Sequence, residues 1–389
     1  MNRLINQYRL LLERTSTEML RYLHDKINWE NRIIAILGPR GVGKTTVLLQ
    51  YIKLNLNPQE ALYVSADDFY FTNNSLFELA QQFNLTGGKH LFIDEVHKYP
   101  NWSKEIKMMY DNLPDLKITI TGSSILELYQ GTDDLSRRVI RYLLNGLSFR
   151  EYLNLQLKTT IPVFTLENIL AHQVALPMVD YPLLHFKKYL IEGYYPFAIE
   201  PDFSQRLLNV IGMTIETDIP MYAKMNIGTA QKIKQLLAII SESVPFKPNL
   251  TKIAELVGVH RNQIVEYLHY LEKSGIIMQL RDATQGIRSL GKVDKIYLDN
   301  SNLMYAIGKT STDLGNVRET FFMNQLSLTL QVHKADKSDF LINGMTFEVG
   351  GKNKTKKQLS GLPNAYIVKD DIVFGYQKTI PLWHFGLTY

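Results

Sequence analysis

The sequence predicts an α/β fold: a parallel sheet wrapped by helices, then a helical lid, a winged-helix module and an α+β domain. Three observations carry that prediction. Gly38-Pro39-Arg40-Gly41-Val42-Gly43-Lys44-Thr45 satisfies G-x-x-x-x-G-K-[ST] at every fixed position. The apolar run 32–37 before it reads as a strand and 46–52 after it as a helix, which is the setting this loop requires. Downstream, apolar strands keep alternating with helical stretches as far as residue 144, the pattern of a parallel sheet with helices on both faces.

The loop has a direct chemistry. Its glycines let the backbone curl until several N–H groups face one point, and the helix that follows adds its positive dipole end. Lys44 supplies a charge for β- and γ-phosphates, and Thr45 a hydroxyl for Mg²⁺. The expected nucleotide-binding set is Gly38, Pro39, Arg40, Gly41, Val42, Gly43, Lys44, Thr45 and Thr46, with ATP and Mg²⁺ as cofactors. This is a P-loop NTPase core with the nucleotide at the carboxyl ends of its strands.

The elements follow in order. Residues 3–27 carry apolar positions at helical spacing, and an amphipathic helix is expected, broken near Thr15-Ser16-Thr17. A second strand runs 61–65, and 75–83 is a short helix. The next strand ends in Phe92-Ile93-Asp94-Glu95, a Walker B pattern: Asp94 for the metal, Glu95 as general base for the attacking water. A helix over 101–112 leads to a strand over 117–121 and Gly122-Ser123-Ser124. Ser123 and Ser124 either cap the next helix or reach the γ-phosphate or water, one serine each being compatible with both. Arg137 and Arg138 precede the last strand, near 139–144, and are either solvated or a finger for a neighbour's γ-phosphate.

Proline-punctuated helices fill the lid, 151–228. Helices at 229–243 and 260–274, a short helix and turn over 250–259 and a strand from 276 form a winged helix over 229–285, with Ala254 and Gly258 at its turn. Arg261, Asn262 and Gln263 begin its third helix, where DNA contacts are made; packing on another protein surface is the alternative. The α+β domain, 286–389, is expected to hold helices at 302–308 and 318–331, a hairpin over 339–349 turning at Asn343-Gly344, and strands at 365–369 and 372–376. Glu319, Asp339 and Glu348 can converge there as a second metal site. Lys352, Lys354, Lys356 and Lys357 form a basic cluster suited to a solvated face or a phosphate backbone.

Composition sets bounds. The 389 residues include no cysteine, which excludes disulfides and zinc–thiolate sites. Net charge is +5, with 43 basic and 38 acidic residues, too mild for a chain that coats nucleic acid. No apolar run spans a membrane and charges interrupt the first residues, so no signal segment and a cytoplasmic location are expected.

Taken together, these parts resemble the bacterial and archaeal AAA-like ATP-binding proteins with a C-terminal DUF4143 region. The resemblance rests on residues 38–46, 92–97, 122–124, 135–138 and 147–152, then Gly193-Tyr194-Tyr195-Pro196-Phe197, Ile296-Tyr297-Leu298-Asp299 and Arg318-Glu319-Thr320, and covers nearly the whole chain. It implies that Arg137 is the finger, although Ser136 stands where the family has glycine. It also implies a restriction-endonuclease-like C-terminal fold, although Gly350 stands where Glu-x-Lys wants lysine. The resulting expectation is an ATPase that couples hydrolysis to conformational change or assembly, as a homo-oligomer, with DNA as the favoured partner and no membrane. The rivals are a metal-dependent DNA nuclease under ATP control and an ATP-switched protein scaffold.

Overall fold

The computed structural model describes residues 1–122, 135, 137–223, 227–243, 245–282, 293–308, 312–355, 362 and 364–389. The chain divides into two compact units, Met1–Gly146 with Thr217–Met225, and Leu147–Glu216 with Asn226–Tyr389.

The first unit is built on five short strands: β1 (Ile33–Leu37), β2 (Ala61–Ser65), β3 (His90–Asp94), β4 (Lys117–Thr121) and β5 (Val139–Leu143). They form one wholly parallel sheet in the order β2-β3-β4-β1-β5. Every residue of Ile-Ile-Ala-Ile-Leu in β1 is buried, as expected for a central strand covered on both faces. Helices Lys44–Asn55, Leu76–Leu85 and Trp102–Asn112 supply crossovers. Ser75 and Glu78 close a capping box on the second of these, and Leu76, Leu79, Ala80 and Phe83 bury its inner face.

The amino-terminal helix ends at Arg14, at the break expected near Thr15. Thr15 turns to φ −72°, ψ 118°, and its hydroxyl donates to Leu11 O at 2.8 Å, so side chain and backbone together stop the helix. Residues 15–27, expected to continue it, form turns instead. Those turns deliver Arg21 to the interior, where its guanidinium donates to the carbonyls of Val42, Asn145 and Gly146.

In the second unit, helix Phe149–Leu157 opens on a Ser148–Glu151 capping box. The residues 147–152 singled out by family resemblance do structural work here. Ser148 Oγ and Arg150 Nε donate to Tyr389 O at 2.5 and 2.8 Å, fixing the buried turn Leu382–Leu387 and the residues after it. Helices Ile227–Ser243, Leu250–Val257 and Arg261–Lys273 precede an antiparallel pair, β6 (Ile277–Arg281) and β7 (Val293–Leu298). Gly258 sits at φ 69°, and its N–H returns to Ala254 O at 2.9 Å, a left-handed cap that glycine adopts readily. β7 pairs with β6 in a sheet of their own and not with the strands that follow.

The last sheet comprises β8 (His333–Lys334), β9 (Phe340–Ile342), β10 (Met345–Gly350), β11 (Ala365–Lys369) and β12 (Thr379–Pro381), ordered β12-β11-β10-β9-β8. It is mixed: β10, β11 and β12 run parallel, β9 pairs antiparallel with β10, and β8 pairs antiparallel with β9. Asn343 and Gly344 turn the hairpin at φ 49° and 74°, the pair of positive values a two-residue turn demands. No strand forms over 372–376; Tyr376 makes an isolated bridge to Thr379 instead. The helix expected at 318–331 runs Leu314–Ser327, because Asp313 caps it through Asn316 N. It is buried nearly all round, so it has no polar stripe from which sequence could read its register.

Candidate nucleotide site

The loop leaves the carboxyl end of β1. Gly41 and Gly43 take φ 84° and 94°, conformations other residues adopt only under strain. Gly38 has no room for a Cβ, which would lie 2.1 Å from Leu144 O. The loop is thereby pressed against the chain leaving β5, while Arg21 holds Val42 O from behind.

Lys44 opens the helix and is buried. Its Nζ donates to Gly38 O and Pro39 O at 2.9 and 2.8 Å, so the ammonium is parked on the loop's own carbonyls. Burial pulls its pKa down to about 8, against the opposing pull of Glu95 and Asp94.

Asp94, at the end of β3, is the hub. Its Oδ2 accepts from Thr45 Oγ1 at 2.5 Å and from Tyr63 OH at 2.7 Å. Its Oδ1 accepts from Thr121 Oγ1 and from Glu95 N, the latter at 3.1 Å. Four donors from three neighbouring strand ends and the loop helix hold one carboxylate in a fixed orientation. Burial, then the carboxylate itself, pushes the Tyr63 hydroxyl far up, so it remains a donor. Thr45 and Asp94 together offer hydroxyl and carboxylate oxygens, the hard donors Mg²⁺ takes; the residues present fit that ion.

Glu95 carries φ 51°. A non-glycine residue in this region beside a hub carboxylate is the kind of strain that clusters at functional sites. His97 Nε2 lies 3.9 Å from Glu95 Oε2. Burial first, then Lys98 and Lys44, drop its pKa to about 3, so this is a neutral imidazole beside a carboxylate and not an ion pair.

The remaining expected residues divide. Ser123 and Ser124 lie outside the described residues, as do Lys356 and Lys357. Thr46 is exposed on the loop helix. Arg138 stacks over Tyr110, 5.3 Å from the ring centroid, and its Nη2 is 3.4 Å from Asp111 Oδ1; Arg137 is exposed. Arg261 and Asn262 are exposed at the start of their helix, whereas Gln263 spends its Oε1 accepting from His260 N at 3.0 Å.

Glu319, Asp339 and Glu348 do converge, but lysines stand among them. Lys295 Nζ is 3.1 Å from Glu319 Oε2 and 3.8 Å from Asp339 Oδ1, and Lys354 Nζ is 2.5 Å from Glu348 Oε1. Asp339 Oδ2 is taken by Val349 N at 2.9 Å. Among the described residues no group of three or more His, Cys, Asp or Glu is placed to hold a metal ion. In this structure the three carboxylates are held in an ion-pair network. Lys354, and not Lys352, reaches the place left by Gly350, because the turn after β10 folds it back over that glycine, whose Cβ would meet Lys354 Cγ at 2.8 Å.

Tyr63 and Thr121 are the site residues that sequence reasoning missed. Thr121 had a signal, since it ends the strand next to Asp94. Tyr63 had none.

Fold and site together define a P-loop nucleotide-binding protein of the α/β class. The AAA domain family matches residues 30–153. A domain of unknown function, DUF8612, matches residues 183–313. An uncharacterised protein of Methanocaldococcus jannaschii, MJ1544, is 29% identical over 127 residues, 32% of this chain and 28% of that protein. Among solved structures, a DNA replication initiation factor aligns with 16% identity over 64% of this chain and 85% of its own, at a TM-score of 0.27. AMPPCP-bound DnaA from Aquifex aeolicus aligns with 15% identity over 68% and 86%, at 0.26. Scores this low carry no argument about function. Among the described residues, no helix is long and apolar enough to cross a membrane.

Proposed function

We propose that this chain binds ATP·Mg²⁺ and hydrolyses it, and that hydrolysis drives a conformational change or an assembly step. The observation that carries the reading is the Asp94 hub: a Walker B carboxylate 2.5 Å from the phosphate loop's Thr45 hydroxyl, followed at once by a strained Glu95. Mg²⁺, when bound, supplies charge to the β- and γ-phosphates. The protein's own residues do the rest. Loop N–H groups cradle the phosphates, Lys44 moves from Gly38 O and Pro39 O onto them, and Thr45 and Asp94 set the metal's position. Glu95 orients the attacking water and accepts its proton.

Arg137 is the better candidate finger, since Arg138 is engaged by Tyr110 and Asp111. Action in trans requires a homo-oligomer. DNA is the favoured partner, supported by a winged helix that exposes Arg261 and Asn262. Phosphate release by the full chain tests the reading. Lys44→Ala is expected to lower it by about a hundredfold or more, and Arg137→Ala by a similar factor while Arg138→Ala has little effect. Equal rates for Lys44→Ala and the parent would sink the ATPase claim; equal effects of the two arginine variants would sink only the finger assignment.

A further inference from the structure

The phosphate loop contains an arginine with an unexpected partner. Arg40, between Pro39 and Gly41, presents a fork to Asp218: Nη2 lies 3.0 Å from Oδ1 and 3.3 Å from Oδ2, and Nε is 3.4 Å from Oδ2. The Asp218 side chain is only 2% exposed and that of Arg40 20%. Such forked pairs are the strong, directional ones. Both side chains also act on Lys44, Asp218 favouring its charge and Arg40 opposing it, so the pair lies within electrostatic reach of the phosphate subsite.

Asp218 reaches this position from far along the chain. Helix Phe203–Met213 passes into a π-helical turn, Thr214–Asp218, and then into the helix Ile219–Ala223. π-turns are rare and occur mostly as local insertions at functional sites. The segment Thr217–Met225 belongs to the nucleotide-binding unit, yet the chain on either side of it, at Glu216 and Asn226, belongs to the second unit. Whatever moves Asp218 therefore acts on a segment tethered covalently at both ends to the other unit.

Two anions compete for Arg40. A nucleoside triphosphate at the loop brings several negative charges beside a guanidinium already bound to a carboxylate. If Arg40 turns to the phosphates, Asp218 becomes a buried carboxylate without its counter-ion, which is strongly unfavourable unless its segment shifts. We propose that Asp218 is a positioning residue of the nucleotide site, holding Arg40 away from the phosphates until a nucleoside triphosphate takes the guanidinium over and displaces the segment Thr217–Ala223. This rests on the nucleotide-binding reading above and adds its regulation.

The test uses the full chain and an ATP analogue carrying a fluorescent group on the ribose. Asp218→Asn removes the competing charge with little change of shape and is expected to bind the analogue about tenfold more tightly, with KM following, whether or not the fold is weakened. A merely structural role predicts weaker binding instead. Arg40→Gln is expected to weaken binding by about tenfold and to abolish most of the Asp218→Asn gain in the double variant, while Asp218→Glu restores parental affinity. Affinity of Asp218→Asn within about twofold of the parent, or weaker, overturns the proposal. Should Asp218→Asn not fold, hydrogen exchange of the parent decides: amides of Thr217–Ala223 exchange faster with the analogue bound, and unchanged exchange overturns it. Lys44→Ala separates the two levels of inference. If it binds as tightly as the parent, the nucleotide reading itself fails; if it binds weakly while Asp218→Asn is unaltered, only the positioning role fails.

Discussion

The buried Lys44 makes nucleotide affinity a function of pH in a range where most side chains do not titrate. Its pKa falls from an ordinary 10.5 to about 8 because burial disfavours the ammonium, equivalent to about 3 kcal/mol against the charged form. Phosphates at the loop reverse that balance, since they reward the charge that burial penalises. Binding above about pH 8 must therefore take up a proton, and affinity must fall as pH rises through the free-state value. At about pH 9.5 only about one Lys44 in thirty is charged in the free protein, so Kd for an ATP analogue should rise about thirtyfold over its value at pH 7. The phosphates themselves have finished titrating by then, their second ionisation lying near pH 6. Fluorescence titration across this range measures the slope. Lys44→Arg provides the control, because a guanidinium stays charged throughout. A parental Kd that changes by less than about twofold between about pH 7 and about pH 9.5 would refute the reasoning. The stability term has the opposite sign. The unfolded state binds more protons than the folded state between about pH 8 and the ordinary lysine value, so Lys44 alone makes the nucleotide-free fold more stable as pH rises through that window.

Two further outcomes follow from the second unit. Glu348 is buried and held by Lys354 Nζ at 2.5 Å; Lys354→Met should lower stability to urea by roughly 2 kcal/mol, less than for a fully buried pair because the lysine is partly exposed, and Lys354→Met/Glu348→Gln should recover most of it. Asp299 is raised from 3.8 to about 6 by burial. The folded state therefore binds the extra proton between those values and stability is lost as pH rises through them. Asp299→Asn should accordingly raise stability at neutral pH, by at most about 3 kcal/mol, and flatten the dependence between about pH 4 and 6 in urea titrations.

The phosphate loop could be read from sequence because its chemistry is local. Eight consecutive residues, Gly38 to Thr45, contain the turn, the charge and the hydroxyl, and the flanking strand and helix are short-range patterns. Asp94 and Glu95 were legible for the same reason, as an apolar strand that stops at two acids. The helices Leu250–Val257 and Arg261–Lys273 were legible from Ala254, Gly258 and the spacing of Ile264, Leu268 and Leu271. Register failed where burial is two-sided or a cap decides the ends, as in Leu314–Ser327.

What the sequence by itself determined was the phosphate loop and the strand that ends in Asp94 and Glu95, because each is carried by neighbours in the chain. The tertiary structure alone decided which partners those groups have. Tyr63 and Thr121 converge on Asp94 only because three strands end side by side. The carboxylates Glu319, Asp339 and Glu348 find their partners, Lys295 and Lys354, only in the folded chain. Asp218 meets Arg40 across 178 positions of chain, and no local pattern encodes a charge pair at that separation, since the loop closure that unites them is a property of the whole fold.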